Sequence, residues 1–327
     1  MAGAGASSPE SHPHAREHRL AEAGVLLVTL FWAANFIVVK AAIHEIPPVT
    51  FALLRFGLAA AVLLVALRLR EGSARPPIGD ALAIMGLGAL GFGVYQIIWS
   101  TALQSIPAGD SALLIAATPV GTALLAVVAG SDVLTRFKLA GGLISFLGVA
   151  IVVVAGPGLA LGLRGGPAAR AVLIGDVLTL GAAVCWSIYT AFGAPHLRRH
   201  SPLRTTAWAM VGGCLVLAGP GLWQATSADW RHVSTGAWGG LLYSAFLPAG
   251  IANVLVFHAI RLLGPTRITA YQFLVPFIAV VLGALFLAEP IRTAQIAGGA
   301  VIVAGVALTR AGASMDLVAW VRDRLPI

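Results

Sequence analysis

Long apolar stretches, separated by short polar ones, make up almost the whole chain. Each stretch comes close to the roughly 20 residues with which an α-helix crosses about 30 Å of hydrocarbon. The pattern therefore predicts an all-α integral membrane protein with ten transmembrane helices. The predicted spans cover residues 21–40, 49–67, 81–103, 108–129, 138–156, 174–194, 204–224, 236–260, 267–287 and 293–311.

The second five spans repeat the first five. A shift of 157 residues aligns Pro119 with Pro276, and a shift of 154 residues aligns Trp32 with Trp186. Because each copy has an odd number of spans, the second copy enters the membrane from the opposite side and is inverted relative to the first. Inverted repeats of this kind form the architecture of many secondary transporters.

The repeat also sets the predicted domain boundaries. They are a disordered cytoplasmic tail at 1–19, the first repeat at 20–157, an inter-repeat loop at 158–173, the second repeat at 174–311 and a cytoplasmic tail at 312–327. Apolar and charged residues alternate in the last segment, so a short helix on the membrane surface is an alternative there.

Composition and charge add an orientation. A content of 58% hydrophobic and 10% charged residues, with a mean hydropathy of +0.91, excludes a water-soluble domain. Of the 21 lysines and arginines, fifteen fall on one side of the predicted topology and five on the other. The positive-inside rule places the richer side, with both termini, in the cytoplasm. The hydropathy makes the lipid bilayer the expected partner. The basic residues are scattered over short loops, which argues against nucleic acid as a partner. The abundance of alanine, glycine and valine favours a bacterial inner membrane.

Polar and aromatic side chains at membrane depth are the candidates for function, because lipid would not satisfy them whereas a water-filled cavity would. Helical spacing puts Trp32 and Asn35 on one face of span 1, and Tyr95 and Trp99 on one face of span 3. The alternatives are bulky packing for the rings and interhelix hydrogen bonds for the amides. His258 is also a candidate for proton coupling. The predicted substrate-binding residues are Trp32, Asn35, Tyr95, Gln96, Trp99, Trp186, Tyr189, Asn253, His258, Tyr271 and Gln272.

Three further residues are predicted to have structural or gating roles. Arg55 carries a charge well inside span 2, where it extends outward, pairs with a carboxylate or contacts the substrate. Pro119 and Pro276 fall near mid-span. Each removes a backbone hydrogen bond, which predicts a kink with a free carbonyl facing the cavity.

Glycines inside the spans predict close helix contacts. Gly86, Gly88 and Gly91 match a dinucleotide-binding pattern letter by letter, but they lie inside a span without a preceding strand. Small residues let helix backbones approach in lipid, and this explanation extends to the glycines of spans 5 and 10. The acidic residues Asp132 and Glu289 each follow a span and are predicted to have helix-end or loop roles.

A recurring set of residues carries a resemblance to a known family. In the first copy the set comprises Trp32-Ala-Ala-Asn35-Phe36, Lys40, Pro47-Pro48, Arg55-Phe56, Ala102-Leu103, Pro119 and Asp132, and in the second copy it comprises Trp186, Pro202, Ala259, Pro276 and Glu289-Pro290. These residues resemble the EamA repeat of the drug/metabolite transporter superfamily. The resemblance implies two inverted five-helix halves around a central cavity, with alternating access. Within the superfamily the chain looks most like bacterial ten-helix exporters of amino acids and metabolites.

The chemistry of the predicted cavity suits a small zwitterion, because it is rich in rings and amides and poor in fixed charge. The predicted function is export of small metabolites, with amino acids, including aromatic and other neutral ones, as the substrate class. A drug/proton antiporter and an exporter of another small metabolite remain the alternatives. The antiporter would favour a carboxylate inside the membrane, whereas Glu22 and Asp176 lie near span ends. An enzyme would need a cluster of carboxylates, histidines or metal ligands near one face. No enzyme activity, metal or cofactor is predicted, and a monomer and a homodimer are both compatible with the sequence.

Overall fold

The structure is a computed structural model that describes residues 12–72, 75–128, 135–154, 166–252, 255, 259, 271–272 and 274–324, and every regular element in them is a helix. The first half contains α1 (His12–Ala42), α2 (Pro48–Glu71), α3 (Ile78–Gly88), a π-helical segment (Ala89–Val94), α4 (Tyr95–Ala102), α5 (Ala108–Ile115), α6 (Thr118–Val128) and α7 (Arg136–Val154). The second half contains α8 (Pro167–Arg199), α9 (Pro202–Ala225), α10 (Thr235–Ser244), a second π-helical segment (Ala245–Ile251), α11 (Leu274–Leu287) and α12 (Thr293–Arg324).

Seven stretches of the described residues are long and apolar enough to cross a membrane, and they coincide with predicted spans 1 to 7. Two shorter apolar helices, Leu274–Leu287 and Thr293–Thr309, lie at predicted spans 9 and 10. α10 and the second π-helical segment lie at predicted span 8. The prediction of a multi-pass helical membrane protein is confirmed, and the number ten stays a prediction.

The first and last helices differ from the predicted boundaries. α1 begins at His12, inside the segment predicted to be disordered, and α12 continues to Arg324, inside the predicted C-terminal tail. Pro13 falls in the first turn of α1, where its missing N–H costs nothing, and good helix formers follow it. The surface helix considered for the C-terminus is thus a continuation of α12.

The outer surface of the helices is apolar. Large side chains that a water-soluble protein would bury are between 57% and 75% exposed, among them Leu143, Phe146, Leu222, Trp223, Leu285 and Phe286. Such a surface matches lipid, which has no need of polar groups on the protein exterior.

α7 and α12, the last spans of the two predicted repeats, cross in direct backbone contact. A Cβ atom on Gly148 would lie 2.7 Å from the carbonyl oxygen of Gly298, and one on Gly298 would lie 2.9 Å from that of Gly148. Gly141 and Gly305 face each other in the same way. Since a shift of 157 residues converts the first pair of contacts into the second, the two helices are related by an approximate two-fold axis. The close helix packing that the glycines of these spans predicted is confirmed, and the structure shows that the two spans pack on each other.

The glycines of span 3 that match the dinucleotide-binding pattern, Gly86, Gly88 and Gly91, also take part in helix packing. A Cβ atom on Gly88 would collide with the backbone of Ala209, and one on Gly91 would lie 2.5 Å from the ring of Tyr189. Gly86 has open space beside it. Two of the three glycines are therefore required for close approach to α9 and α8.

An ionic cluster holds one end of the helices together, here called the Lys40 end. Lys40 Nζ donates to Glu289 Oε1 at 2.8 Å and to the carbonyl of Ile106. Glu289 also accepts from the backbone N–H of Ala108 at 2.9 Å. Glu45 lies on a predicted loop of the same side and accepts from the N–H and hydroxyl of Ser234, which lowers the pKa of its carboxyl.

A second cluster ties the opposite end, here called the Asp80 end. Asp80 accepts from His200 at 2.8 Å and pairs with Arg199 at 3.3 Å. Glu71 pairs with Arg204 at 2.9 Å. Each cluster joins only loops that the predicted topology places on one side of the membrane, so the contacts agree with the predicted alternation of the loops.

Candidate substrate-binding site

A cavity of about 390 Å³ lies between the two halves of the chain and receives side chains from both. It falls in the range of small-molecule pockets, about 300–1,000 Å³. Ten of the fourteen residues singled out from the sequence line it: Trp32, Asn35, Arg55, Tyr95, Gln96, Trp99, Pro119, Trp186, Gln272 and Pro276.

The lining follows the repeat. Trp32 and Trp186 are equivalent under the 154 shift, and Pro119 and Pro276 under the 157 shift, and all four contact the cavity. The same relation joins further lining residues, namely Phe56 with Met210, Phe92 with Ala249, Ile115 with Gln272 and Thr118 with Val275. The cavity therefore lies on the approximate two-fold axis between the halves.

Two π-helical segments border the cavity. They run from Ala89 to Val94 and from Ala245 to Ile251, which are equivalent stretches of the two halves. The first brings Phe92 to the cavity and the second brings Pro248 and Ala249. π-Helical turns are rare and occur often at functional sites, because the wider turn re-aims side chains and loosens the backbone ladder. The Pro248 carbonyl is taken by the indole N–H of Trp32 at 3.3 Å.

Aromatic rings form a continuous cluster along one side of the cavity. Tyr95 and Trp99 are stacked, with ring centroids 6.2 Å apart, as their shared helical face predicts. Trp186 contacts Tyr95 and Phe92 at 5.4 and 5.5 Å. Trp99 is held by a 3.0 Å hydrogen bond from its indole N–H to the Ser111 hydroxyl. The rings support one another, so this wall is formed before any ligand binds.

A polar chain crosses the cavity from α2 to α1. Arg55 Nη1 donates to the hydroxyl of Ser244 at 2.9 Å, and that hydroxyl donates to Asn35 Oδ1 at 2.6 Å. Arg55 is 4% exposed. Its guanidinium also lies 4.3 Å from the centre of the Phe56 ring. Of the three possibilities considered for Arg55, extension outward to the membrane surface is wrong.

Span 4 is broken beside the cavity. α5 ends at Ile115, and α6 begins at Thr118, next to Pro119. Pro119 has no N–H for the carbonyl of Ile115, and the Thr118 hydroxyl donates to that carbonyl at 2.6 Å instead. The helix is interrupted where a kink was predicted, but the carbonyl expected to face the cavity freely is already bonded. In the second half, α11 begins two residues before Pro276.

Two of the other four predicted residues are described, and neither lines the cavity. Tyr189 packs behind Trp186 and against Gly91, and Tyr271 contacts the cluster around Val25 and Val28. Asn253 and His258 lie outside the described residues.

Several lining residues escaped the sequence reasoning. Phe36, Phe56, Phe92 and Met210 are apolar, so a search for polar groups at membrane depth passes over them. Ser244 is polar, but serine in a helix commonly bonds its own backbone and gives little signal. The repeat equivalence of Phe56 with Met210 was the one pattern that could have indicated that pair.

The sequence profile of the EamA-like transporter family matches residues 19–154 and 173–311, one match in each half. The chain belongs to the EamA-like transporter family. It is a membrane transporter of the EamA type, as the residue resemblance predicted.

Relatives of this EamA chain are named as transporters. It is 26% identical to the uncharacterized transporter YyaM of Bacillus subtilis, over 87% of this chain and 91% of that protein. It is 29% identical to a probable terminal-alkyne amino-acid exporter of Streptantibioticus cattleyicolor, over 87% and 91%. It is also 29% identical to a probable amino-acid metabolite efflux pump of Salmonella typhimurium, over 86% and 91%. A solved protein structure matches with a TM-score of 0.60 at 19% identity, covering 89% of this EamA chain and 97% of its own.

Proposed function

We propose that this EamA transporter exports amino acids and related small metabolites, aromatic and other neutral amino acids among them, across the bacterial inner membrane. The observation that carries the proposal is the cavity itself, which lies on the axis between the halves and is lined by rings and amides from both. An apolar pocket with a few convergent polar groups is the form that small-molecule sites take.

The ring cluster fits an apolar or aromatic side chain of the substrate. Offset and edge-to-face ring contacts each contribute about 0.5–1.5 kcal/mol beyond the area they bury. Asn35, Gln96 and Gln272 offer amides along the same cavity. The names of two relatives, an amino-acid exporter and an amino-acid metabolite efflux pump, support this substrate class.

The transport cycle we propose is alternating access by two inverted five-helix repeats, with ten spans in all and both termini in the cytoplasm. The Lys40 end is then the outer end and the Asp80 end the cytoplasmic one. Two ionic clusters at opposite ends of one central cavity are what such a cycle needs, because each end closes while the other opens.

A drug/proton antiporter is a second candidate, and one specific observation favours it. Asp176 is 3% exposed inside α8, although its sequence position near a span end argued against such burial. Asp110, 3% exposed, is a second buried carboxylate but is bonded to Gln295. Membrane-embedded carboxylates are common proton carriers.

Flux through purified protein in proteoliposomes tests the proposal. Labelled threonine, methionine and phenylalanine are loaded with and without an imposed pH gradient. We expect saturable flux, reduced by up to about tenfold by Trp186→Ala, since the loss of about 1.4 kcal/mol of ring contact corresponds to that factor.

Trp223→Ala is the matched control, because Trp223 is 75% exposed on the outer face of α9. It removes the same side chain from a lipid-facing position and should leave flux unchanged. Folded protein that moves no amino acid above the level of empty liposomes contradicts the export proposal. Flux of cationic drugs that requires the pH gradient would favour the antiporter.

A further inference from the structure

Arg55 carries a charge into the cavity without an acidic partner in the described part of the chain. Its single recorded hydrogen bond runs from Nη1 to the neutral hydroxyl of Ser244. Its Nε is buried and donates to no group among the described residues. A buried cation costs free energy unless it is paired and hydrogen-bonded, so the protein keeps this group at a cost to its own stability.

The neighbours of Arg55 position the guanidinium without neutralising it. Ser244 and Asn35 are uncharged, and the Phe56 ring offers only the attraction of its face to a cation. Guanidinium groups bind carboxylates through paired N–H donors, which makes arginine the preferred residue for recognising planar anions. Arg55 lines the cavity with a guanidinium that no carboxylate in the described part of the chain neutralises, so an anion that enters the cavity meets an unpaired positive charge.

The repeat shows that the fold does not need an arginine at this position. The equivalent of Arg55 in the second half is Ala209, whose backbone lies directly against Gly88. Under the 157 shift Gly88 corresponds to Ala245, the neighbour of Ser244. In one half the backbones of Gly88 and Ala209 are in direct contact at this helix crossing. At the equivalent crossing of the other half, Arg55 lies beside Ser244, which precedes Ala245. Among the described lining residues, this difference gives the first half a fixed positive charge that has no counterpart at the equivalent position of the second half.

We propose that Arg55 binds the carboxylate of the transported molecule, so that the substrate class is a small monocarboxylate with an apolar or aromatic group, such as a neutral α-amino acid. The inference deepens the proposed export function and rests on it. The apolar group lies against the rings of Trp186 and Tyr95. Amines and cationic drugs lack the anion and meet a like charge, and a dianionic phosphate meets one arginine where it needs several.

Pairs of ligands that differ only in the carboxylate test this inference on the unaltered protein. Phenylalanine, methionine and threonine are each compared with their carboxamides as competitors of amino-acid flux. We expect each carboxamide to compete at least about tenfold more weakly, the size of the effect of one hydrogen-bonded charge. Equal competition by acid and amide would overturn the inference.

Variants locate the effect. In Arg55→Gln the preference for acid over amide should fall to within about twofold, because a neutral amide bonds both ligands alike. Arg55→Lys keeps the charge but loses the planar fork and should keep part of the preference. Arg68→Gln is the matched control, because it removes the same charge from an exposed site at the end of the same helix. An Arg55→Gln protein that still prefers acids sinks the inference.

Ligand-induced thermal stabilisation separates this inference from the export proposal. If the unaltered protein moves no amino acid, export fails, but 3-phenylpropionate should still raise its melting temperature while 3-phenylpropionamide and phenethylamine do not. No stabilisation by the carboxylate in that case overturns the inference as well. Should Arg55→Gln fail to fold, Ser244→Ala keeps the arginine and loosens it, and its preference for acids should weaken.

Discussion

Gln96 follows Tyr95 on α4, lines the cavity with its side chain and is 4% exposed. No hydrogen bond to this amide is recorded within the described part of the chain. Because the residue lines the cavity, a substrate can supply the amide with a hydrogen-bond partner, which contributes about 0.5–1.5 kcal/mol. The amide of Gln224, in contrast, is bonded within the protein. Its Oε1 accepts from the backbone N–H of Val49 and so connects α9 to α2.

The contrast between these two amides predicts opposite outcomes for the same substitution. Gln96→Met should raise the KM for flux by about two- to tenfold, the effect of one neutral hydrogen bond, while the melting temperature stays level or rises. Gln224→Met should lower the melting temperature and leave KM unchanged. Flux kinetics and thermal unfolding of both variants decide the matter. A less stable Gln96→Met protein with normal KM would mean that the amide is structural.

For single residues, the sequence predicted which side chains lie at the cavity better than it predicted which residues they contact. Polarity at membrane depth selected Trp32, Asn35 and Gln96, which line the cavity, because burial of such groups in lipid is costly. It also selected Tyr189, whose ring lies behind Trp186. Helical spacing determines which face of a helix carries a side chain. It does not show which residues of other spans pack against that face, because those contacts do not affect the local pattern.

Among the helices, the N-terminus of α5 receives its cap from a residue far along the chain. Ala288 adopts a positive φ of 52° at the end of α11, and the Glu289 N–H bonds back to the carbonyl of Gly283. This tight turn aims the Glu289 carboxylate at the first N–H groups of α5, where negative charge is favoured, and at Lys40. One side chain thereby joins α1, α5 and α11.

Removal of that charge should loosen the Lys40 end. Glu289→Gln keeps an oxygen for the backbone N–H groups but loses the ion pair, for which we expect a loss of about 1–3 kcal/mol of stability. Thermal unfolding in detergent measures it, with Lys40→Met and the double variant completing a cycle. Glu45→Gln is the control, because Glu45 is exposed and, within the described part of the chain, bonds only Ser234, the N-cap residue of α10, so its loss should cost less. Additive effects of Lys40→Met and Glu289→Gln would contradict a coupled pair.

The sequence predicted the helix-end role of Glu289 but not its partners. Its position after a span indicated a terminus, whereas contact with Ala108 depends on how two distant turns meet. A kink at Pro119 was predicted for a similar local reason, since proline acts on its own helix. The π-helical segments were not predicted, because no local residue pattern marks an inserted turn.

For the molecule as a whole, the strongest constraint is the agreement between the repeat and the contacts. Reciprocal glycine contacts join α7 to α12, and equivalent residues line one cavity. Residues that the repeat makes equivalent in the sequence are therefore related by an approximate two-fold axis in the structure. The repeat did not predict how its halves differ at Arg55 and Ala209. The sequence shows that the two residues differ, but not that Arg55 lines the cavity while Ala209 packs against the backbone of Gly88.

Inversion makes a topological prediction that alternative architectures do not share. If each half has five spans, the junction near Gly166 and the C-terminus lie on opposite sides of the membrane. We expect alkaline phosphatase fused after Gly166 to be active, and green fluorescent protein fused after Ile327 to fluoresce, because the first folds only outside and the second only in the cytoplasm. A phosphatase fusion after Arg75, on a predicted cytoplasmic loop, is the inactive control. Reporters that place Gly166 and Ile327 on the same side require an even number of spans between them. The two halves would then be parallel, and the reciprocal contact of α7 with α12 would lose its explanation as an inverted repeat.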